Sequence, residues 1–276
     1  MKRSYSSWAL TGLMVLVSLL FLAPILLVLL NSFKGQFYIA TSPFSFPNAQ
    51  TFVGLGNYIG GIRKTDFLRS VGYSLWITAG STVLIVLCTS MCAWYIQRQR
   101  GAFCRLLYYV LVFSMIVPFQ MVMFTMSKMA NLLYLENPLG IIFIYLGFGA
   151  GLSVFLFSGF VRSIPPSVEE AAAIDGCGTL RMFFSIIFPL LRPIATTVTV
   201  LNVMWIWNDY LLPYLVIGSK YKTVPVAVQY LQGGYGSRDM GALMAMLVLA
   251  IIPIILFYAL AQRSIIAGVV AGAVKE

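Results

Sequence analysis

Apolar residues run almost unbroken through six stretches of this chain, at about 8–30, 71–96, 106–127, 139–161, 194–217 and 241–262. Each is close to the roughly 20 residues that cross the hydrocarbon core of a bilayer. Water is absent there, so every backbone N–H and C=O must find a partner within the segment, and each stretch is predicted to be a helix. The pattern defines an all-α membrane protein of six transmembrane helices, organised as a single membrane domain over residues 1–276. Polar residues gather between the spans. One outer loop covers residues 31–70 and is rich in Pro, Phe, Gly and Asn. A second covers 218–240 and contains Gly233-Gly234-Tyr235-Gly236. A longer polar segment occupies 162–193, and a short tail runs over 263–276.

Composition agrees with this pattern. The chain is 60% hydrophobic and 9% charged, far from the roughly 25% charged residues of a soluble domain. Its net charge of +10 is spread singly at the ends of apolar runs, which argues against a nucleic-acid surface. The densest basic cluster, Gln97-Arg98-Gln99-Arg100 with Arg105, places the turn between the second and third spans in the cytoplasm. Both termini and the 162–193 segment then fall on the same side. Ten of the 18 Lys and Arg lie inside: Lys2, Arg3, Arg98, Arg100, Arg105, Arg162, Arg181, Arg192, Arg263 and Lys275. The apolar run near the N-terminus is too long for the core of a signal peptide and lacks a small-residue cleavage site, so it reads as a retained first span.

Chemistry is sparse. There is no histidine, which removes imidazole catalysis and most zinc sites. Cys88, Cys92, Cys104 and Cys177 form no CxxC motif, and all four read as small apolar fillers or incidental thiols. No GxxxxGK[ST] loop is present to cradle a nucleotide. We expect no catalytic residues, no metal and no cofactor held by this chain.

The 162–193 segment carries the most specific pattern. Pro165-Pro166 ends the fourth span. Ser167 and Glu170 stand at capping-box spacing, predicting a short helix over 168–174 with Ser167 as its N-cap. Gly176 and Gly178 supply a turn, with glycine suited to the positive-φ residue that closes a helix. Thr179 is placed to cap a second helix, interrupted by Pro189. The result is a projecting knob able to seat in a groove of another protein.

This segment, with Glu170-Ala171-Ala172, then Gly176, then Ile186-x-Phe188-Pro189, closely resembles the EAA loop of membrane subunits of ATP-binding-cassette importers. Phe188 stands where the family usually has Leu. Three other stretches are similar to the carbohydrate-importing branch, the maltose-type G subunits: Val117-Pro118-Phe119-Gln120, the run Trp207-Asn208-Asp209-Tyr210-Leu211-Leu212-Pro213, and the tail from Gln262 to Lys275. Together they cover the chain from about residue 70 to its end. The tail finishes in Lys275-Glu276 where the family typically has Lys-Gly.

The resemblance implies a type I ABC importer permease fold and a bacterial or archaeal plasma membrane location. It implies a second homologous permease as partner in a heterodimer, and an extracytoplasmic sugar-binding protein. Two ABC ATPase subunits would bind the ATP and Mg. Glu169, Glu170, Ala171, Ala172, Asp175, Gly176 and Gly178 would dock an ATPase, and Gly272, Ala273, Val274 and Lys275 would reach between the two. Glu170 has two roles open to it, capping its helix or pairing with a base on the ATPase. Gly233, Gly234, Tyr235 and Gly236 are candidates for contact with the binding protein.

Sugars are held through aromatic faces and side-chain hydrogen bonds, so Gln120, Asn202, Trp205 and Asn208 are candidates to line the path. Trp205 and Trp207 fit a core or interfacial role equally well. Pro118 permits a kink, static or hinged. Asp209 is the only acidic residue placed within a span. It lies near the outer interface, where it either serves the path or anchors helix ends through Asn208 or a loop base. An ion-coupled carrier usually keeps charges at mid-membrane, and an intramembrane enzyme needs an acid–base pair; the spans offer neither.

Overall fold

The computed structural model describes residues 5–99, 101–218, 220–232 and 238–273. Among these the regular structure is helical, with one isolated antiparallel bridge between Lys34 and Phe52. Four helices are each long and apolar enough to cross a membrane: Leu10–Asn31 within α1 (Tyr5–Asn31), α4 (Phe67–Arg98), α7 (Gly140–Val161), and Met240–Gln262 within α14 (Met240–Ala273).

The remaining two predicted spans are broken. The stretch at 106–127 is two helices, α5 (Ala102–Ser114) and α6 (Phe119–Leu132), bent by 105°. Pro118 is the N-cap of α6 and not a kink inside a helix. It has no N–H to offer and forces the residue before it away from α geometry, so the helix stops and restarts. The stretch at 194–217 divides into α11 (Arg192–Asn208) and α12 (Leu211–Val216), parted at Asp209, whose φ and ψ of −72° and 123° are extended.

The chain folds as two compact units. The first comprises Met1–Arg69 and Ala227–Pro253. It includes α1, the short helices α2 (Gln36–Thr41) and α3 (Gly56–Thr65), and the start of α14. Lys34 is wholly buried, and its Nζ donates to the carbonyls of Ser42 at 3.0 Å and Pro43 at 3.3 Å. Burial pushes its pKa below the usual lysine value. Asn57 ties the same loop together by donating to the carbonyls of Ser32 and Lys34, both at 2.8 Å. At the start of α14, Asp239 pairs with Lys64 and accepts from the Ala242 N–H at 3.0 Å, satisfying one orphan donor of the first turn.

The second unit comprises Ser70–Val226 and Ile254–Glu276. Within it α5 and α7 pack so closely that a Cβ on Gly151 would lie 2.5 Å from the Leu111 carbonyl oxygen. Two apolar clusters of described residues help organise this unit. One joins Val86, Ala93 and Ile96 of α4 with Val154, Phe157 and Val161 of α7 and with Ala172, Met182, Phe183, Ile187 and Leu191. The other joins Ile77 and Ile85 of α4, Ile141 and Tyr145 of α7, and Ile206, Leu212, Val216 and Ile217.

Candidate functional site

The polar segment after α7 folds as two helical arms. The first is α8 (Pro166–Ile174), and its N-cap is Pro165, with no side-chain capping bond. The predicted capping box is therefore absent. Pro166 holds the φ of a first helical residue, so the helix begins before Ser167 and leaves that hydroxyl inside the first turn. Glu170 is exposed and makes no side-chain bond within the chain among the described residues.

The end of α8 follows the sequence closely. Gly176 has φ +78°, the Cys177 N–H bonds to the Ala172 carbonyl at 2.9 Å, and the Gly176 N–H bonds to the Ala173 carbonyl at 3.0 Å. This crossed pair is a Schellman closure. Gly178 then caps α9 (Thr179–Met182), so Thr179 is the first residue of that helix and not its cap. A π-helical stretch, Phe183–Ile187, leads into α10 (Phe188–Leu190). The wider turn lies where the Pro189 ring would crowd the carbonyl four residues before it, so the chain continues past a residue that normally breaks a helix.

This loop presents two faces. Ala172, Met182, Phe183 and Ile187 are buried in the cluster shared with α4 and α7. Glu169 also turns inward, where its Oε1 accepts from Arg98 Nε at 2.8 Å. Arg98 also donates through Nη2 to the Ile164 carbonyl at 3.0 Å. The two side chains retain 20% and 14% of their exposure, so the pair is largely withdrawn from water. Ala171, Ala173, Asp175, Gly176 and Gly178 face outward with Glu170. Ile174 and Leu180 beside them are 86% and 65% exposed, an apolar tip left uncovered among the described residues. Of the predicted docking residues, Glu169 and Ala172 thus fasten the knob and the others form its surface.

The second region surrounds the break at Asp209. Tyr145 donates its hydroxyl to Asp209 Oδ2 at 3.0 Å, while Oδ1 accepts from the Leu211 N–H at 3.0 Å. The expected anchoring of Asp209 through Asn208 or a base is replaced by a buried tyrosine. Trp205 stands edge-on to the same Tyr145 ring at 5.4 Å between centroids. Tyr145 therefore gathers Trp205 and Asp209, and nothing in the local sequence around it marked it out beyond one phenol in an apolar run. Asn202 is buried, donating to the carbonyl of Val198 at 2.8 Å and to Ser153 Oγ at 3.3 Å, so it ties α11 to α7. Asn208 is exposed but bonds back to the Met204 carbonyl at 2.7 Å, and Gln120 is exposed at the start of α6.

Gly272 and Ala273 belong to α14. Val274, Lys275 and the four residues Gly233, Gly234, Tyr235 and Gly236 lie outside the described residues. Among the described residues, no group of His, Cys, Asp and Glu is arranged to hold a metal ion.

Four helices long and apolar enough to cross a bilayer, further spans that are broken, and a folded knob fastened to the helix core define a multi-pass membrane protein. Residues 85–270 match the family described as binding-protein-dependent transport system inner membrane component, and the chain belongs to that family. It is 37% identical to the probable starch degradation products transport system permease protein AmyC of Thermoanaerobacterium thermosulfurigenes, over 100% of this chain and 99% of that one. It is 35% identical to the multiple sugar-binding transport system permease protein MsmG of Streptococcus mutans, over 95% of each chain. Its fold matches a chain of a bacterial ABC transporter involved in import of the acidic polysaccharide alginate, with a TM-score of 0.77 and 20% identity, over 95% of this chain and 98% of that one.

Proposed function

We propose that this chain is the permease subunit of an ATP-driven carbohydrate importer of the plasma membrane, with both termini in the cytoplasm. It pairs with a second, homologous permease and receives sugar from an extracytoplasmic binding protein. Two separate ATPase subunits bind the ATP and Mg, and one of them grips the knob formed by α8 and α9. The observation that carries this reading is the division of the knob into two faces. One is welded into the helix core through Ala172, Phe183 and the Arg98–Glu169 pair. The other leaves Ile174, Leu180 and Glu170 uncovered. A push on the tip is therefore delivered directly to α4 and α7, which is what alternating access requires of a coupling element. Sugar as cargo is supported by full-length similarity to permeases named for starch products and multiple sugars. Asp175, Gly176 and Gly178 shape the tip, and the tail residues Gly272, Ala273, Val274 and Lys275 are assigned a contact between the ATPases.

The test is a detergent pull-down of tagged chain, wild type against Glu170→Ala combined with Gly176→Pro. The ATPase and second permease should accompany the wild type, and the ATPase should be lost from the variant while its elution and helical content persist. A wild type that purifies intact and alone overturns the coupling reading. Sugar-stimulated ATP hydrolysis in proteoliposomes tests the cargo separately.

A further inference from the structure

A cleft of about 510 Å³ opens where α4 ends and α5 begins, and its lining includes Gln97, Gly101, Arg105 and Arg162. The two described cations in that lining face no carboxylate. Arg162 spends Nε on Gln97 Oε1 at 3.0 Å, which fixes the guanidinium and leaves its terminal amino groups free of partners among the described residues. Arg105 forms no ion pair among the described residues, and the lining of the cleft contains no Asp or Glu. The first turn of α5 adds to this field. Its N-cap, Gly101, has no side-chain capping bond, and the turn contains no acidic residue. A guanidinium fixed at Arg162 and a second at Arg105, beside an uncapped helix start, are the donor types that recognise phosphate.

Leading away from this cleft along α5, Leu106, Val110 and Phe113 are all exposed, and their spacing places them on one face of the helix. Cationic donors at one end and an apolar stripe at the other match a molecule with a phosphate head and hydrocarbon tails. The level is also right, because α4 and α7 both end here, at Arg98 and Val161. We propose that this cleft binds the phosphate of an anionic phospholipid such as phosphatidylglycerol, with its acyl chains along α5. Basic pockets among helix ends on the cytoplasmic side favour such headgroups. The inference rests on the chain spanning a bilayer and is independent of its cargo.

The full chain, with whatever subunits accompany it, is placed in nanodiscs of equal phosphatidylglycerol and phosphatidylcholine and released for native mass spectrometry. Wild type should retain one phosphatidylglycerol in preference to phosphatidylcholine. Arg105→Gln with Arg162→Gln should lower that retention about tenfold or more, the size expected from losing charge-assisted hydrogen bonds. Equal retention of both lipids overturns the proposal, as does unchanged retention in a folded double variant. Displacement by millimolar inorganic phosphate makes a soluble phosphate the occupant and overturns the lipid assignment. Should the double variant fail to fold, a photo-reactive phosphatidylglycerol on the wild type decides: adducts within residues 96–113 support the site, and adducts only elsewhere refute it.

Discussion

The two apolar clusters of the second unit are built from the same helices, α4 and α7, yet they finish differently. In the cluster of Phe183 the charged groups are matched: Arg98 meets Glu169, and Arg98 also closes the Ile164 carbonyl. Around Tyr145 a carboxylate is held by a phenol and a backbone N–H, with no cation beside it among the described residues. The first arrangement is costly to disturb, because removing either charge strands the other away from water. The second sits at a chain break, where backbone angles can change without unpicking a helix. A core that transmits force and a core that yields to it are the two parts a gated carrier needs.

The largest effect should come from the stiff end. Phe183→Ala opens a cavity in a site with no exposure and should cost about 3–5 kcal/mol. Thermal unfolding in detergent would report it, together with loss of the ATPase in pull-down. Gly176→Val forces a β-branched residue to φ +78° and should cost about 1–3 kcal/mol. Docking should fail while the transmembrane helices survive, seen as an unchanged far-ultraviolet spectrum. Arg98→Ala leaves Glu169 short of its partner and should lose about 1–3 kcal/mol. Arg98→Ala with Glu169→Ala should recover part of that, because no charge is left stranded; no recovery would mean the pair does not fasten the knob.

Tyr145→Phe at the other end should be mild in stability, about 0.5–1.5 kcal/mol for one hydrogen bond. It should leave ATPase capture intact and change sugar uptake in proteoliposomes. If it instead released the ATPase, the contrast between the two ends would collapse.

The smallest effect lies outside both regions and is their control. Burial alone would raise the pKa of Asp239, but hydrogen bonds from Lys64 and the Ala242 N–H outweigh it and hold the carboxyl below its usual 3.8. A depressed folded pKa gives stability that is complete above the unfolded value and lost as pH falls through the folded one. The contribution should be full at neutral pH, fade below about 4, and be smaller than about 1 kcal/mol because Lys64 is well exposed. Comparing wild type with Asp239→Asn across that window measures it.

Much of the knob was legible because its rules are local. A glycine two residues past an alanine-rich turn predicts a left-handed closure, and Gly176 supplies it. The N-terminal cap was misread because two local signals competed, and the preset φ of Pro166 outranked the Ser167 hydroxyl. The pairing of Arg98 with Glu169 spans 71 positions and has no signal in either neighbourhood. Reading Pro118 as a kink marks the weak point but not the 105° turn between α5 and α6. Asp209 was recognised as special from its charge. Its partner was not, because a tyrosine among Ile141, Ile142 and Ile144 reads as one more bulky side chain.

The π-helical stretch before Pro189 also makes the chain tolerant of a change in length. A π-turn is an α-helical turn that holds one extra residue, and here it spans Phe183–Ile187. Deleting one residue from it should return the stretch to α geometry and keep the flanking arms close to their present phase, so that Met182 and Leu191 stay in the core. The cost would fall on Pro189, whose ring would then meet the carbonyl four residues before it. The surplus residue is therefore slack that lets a proline sit inside a continuous helical path.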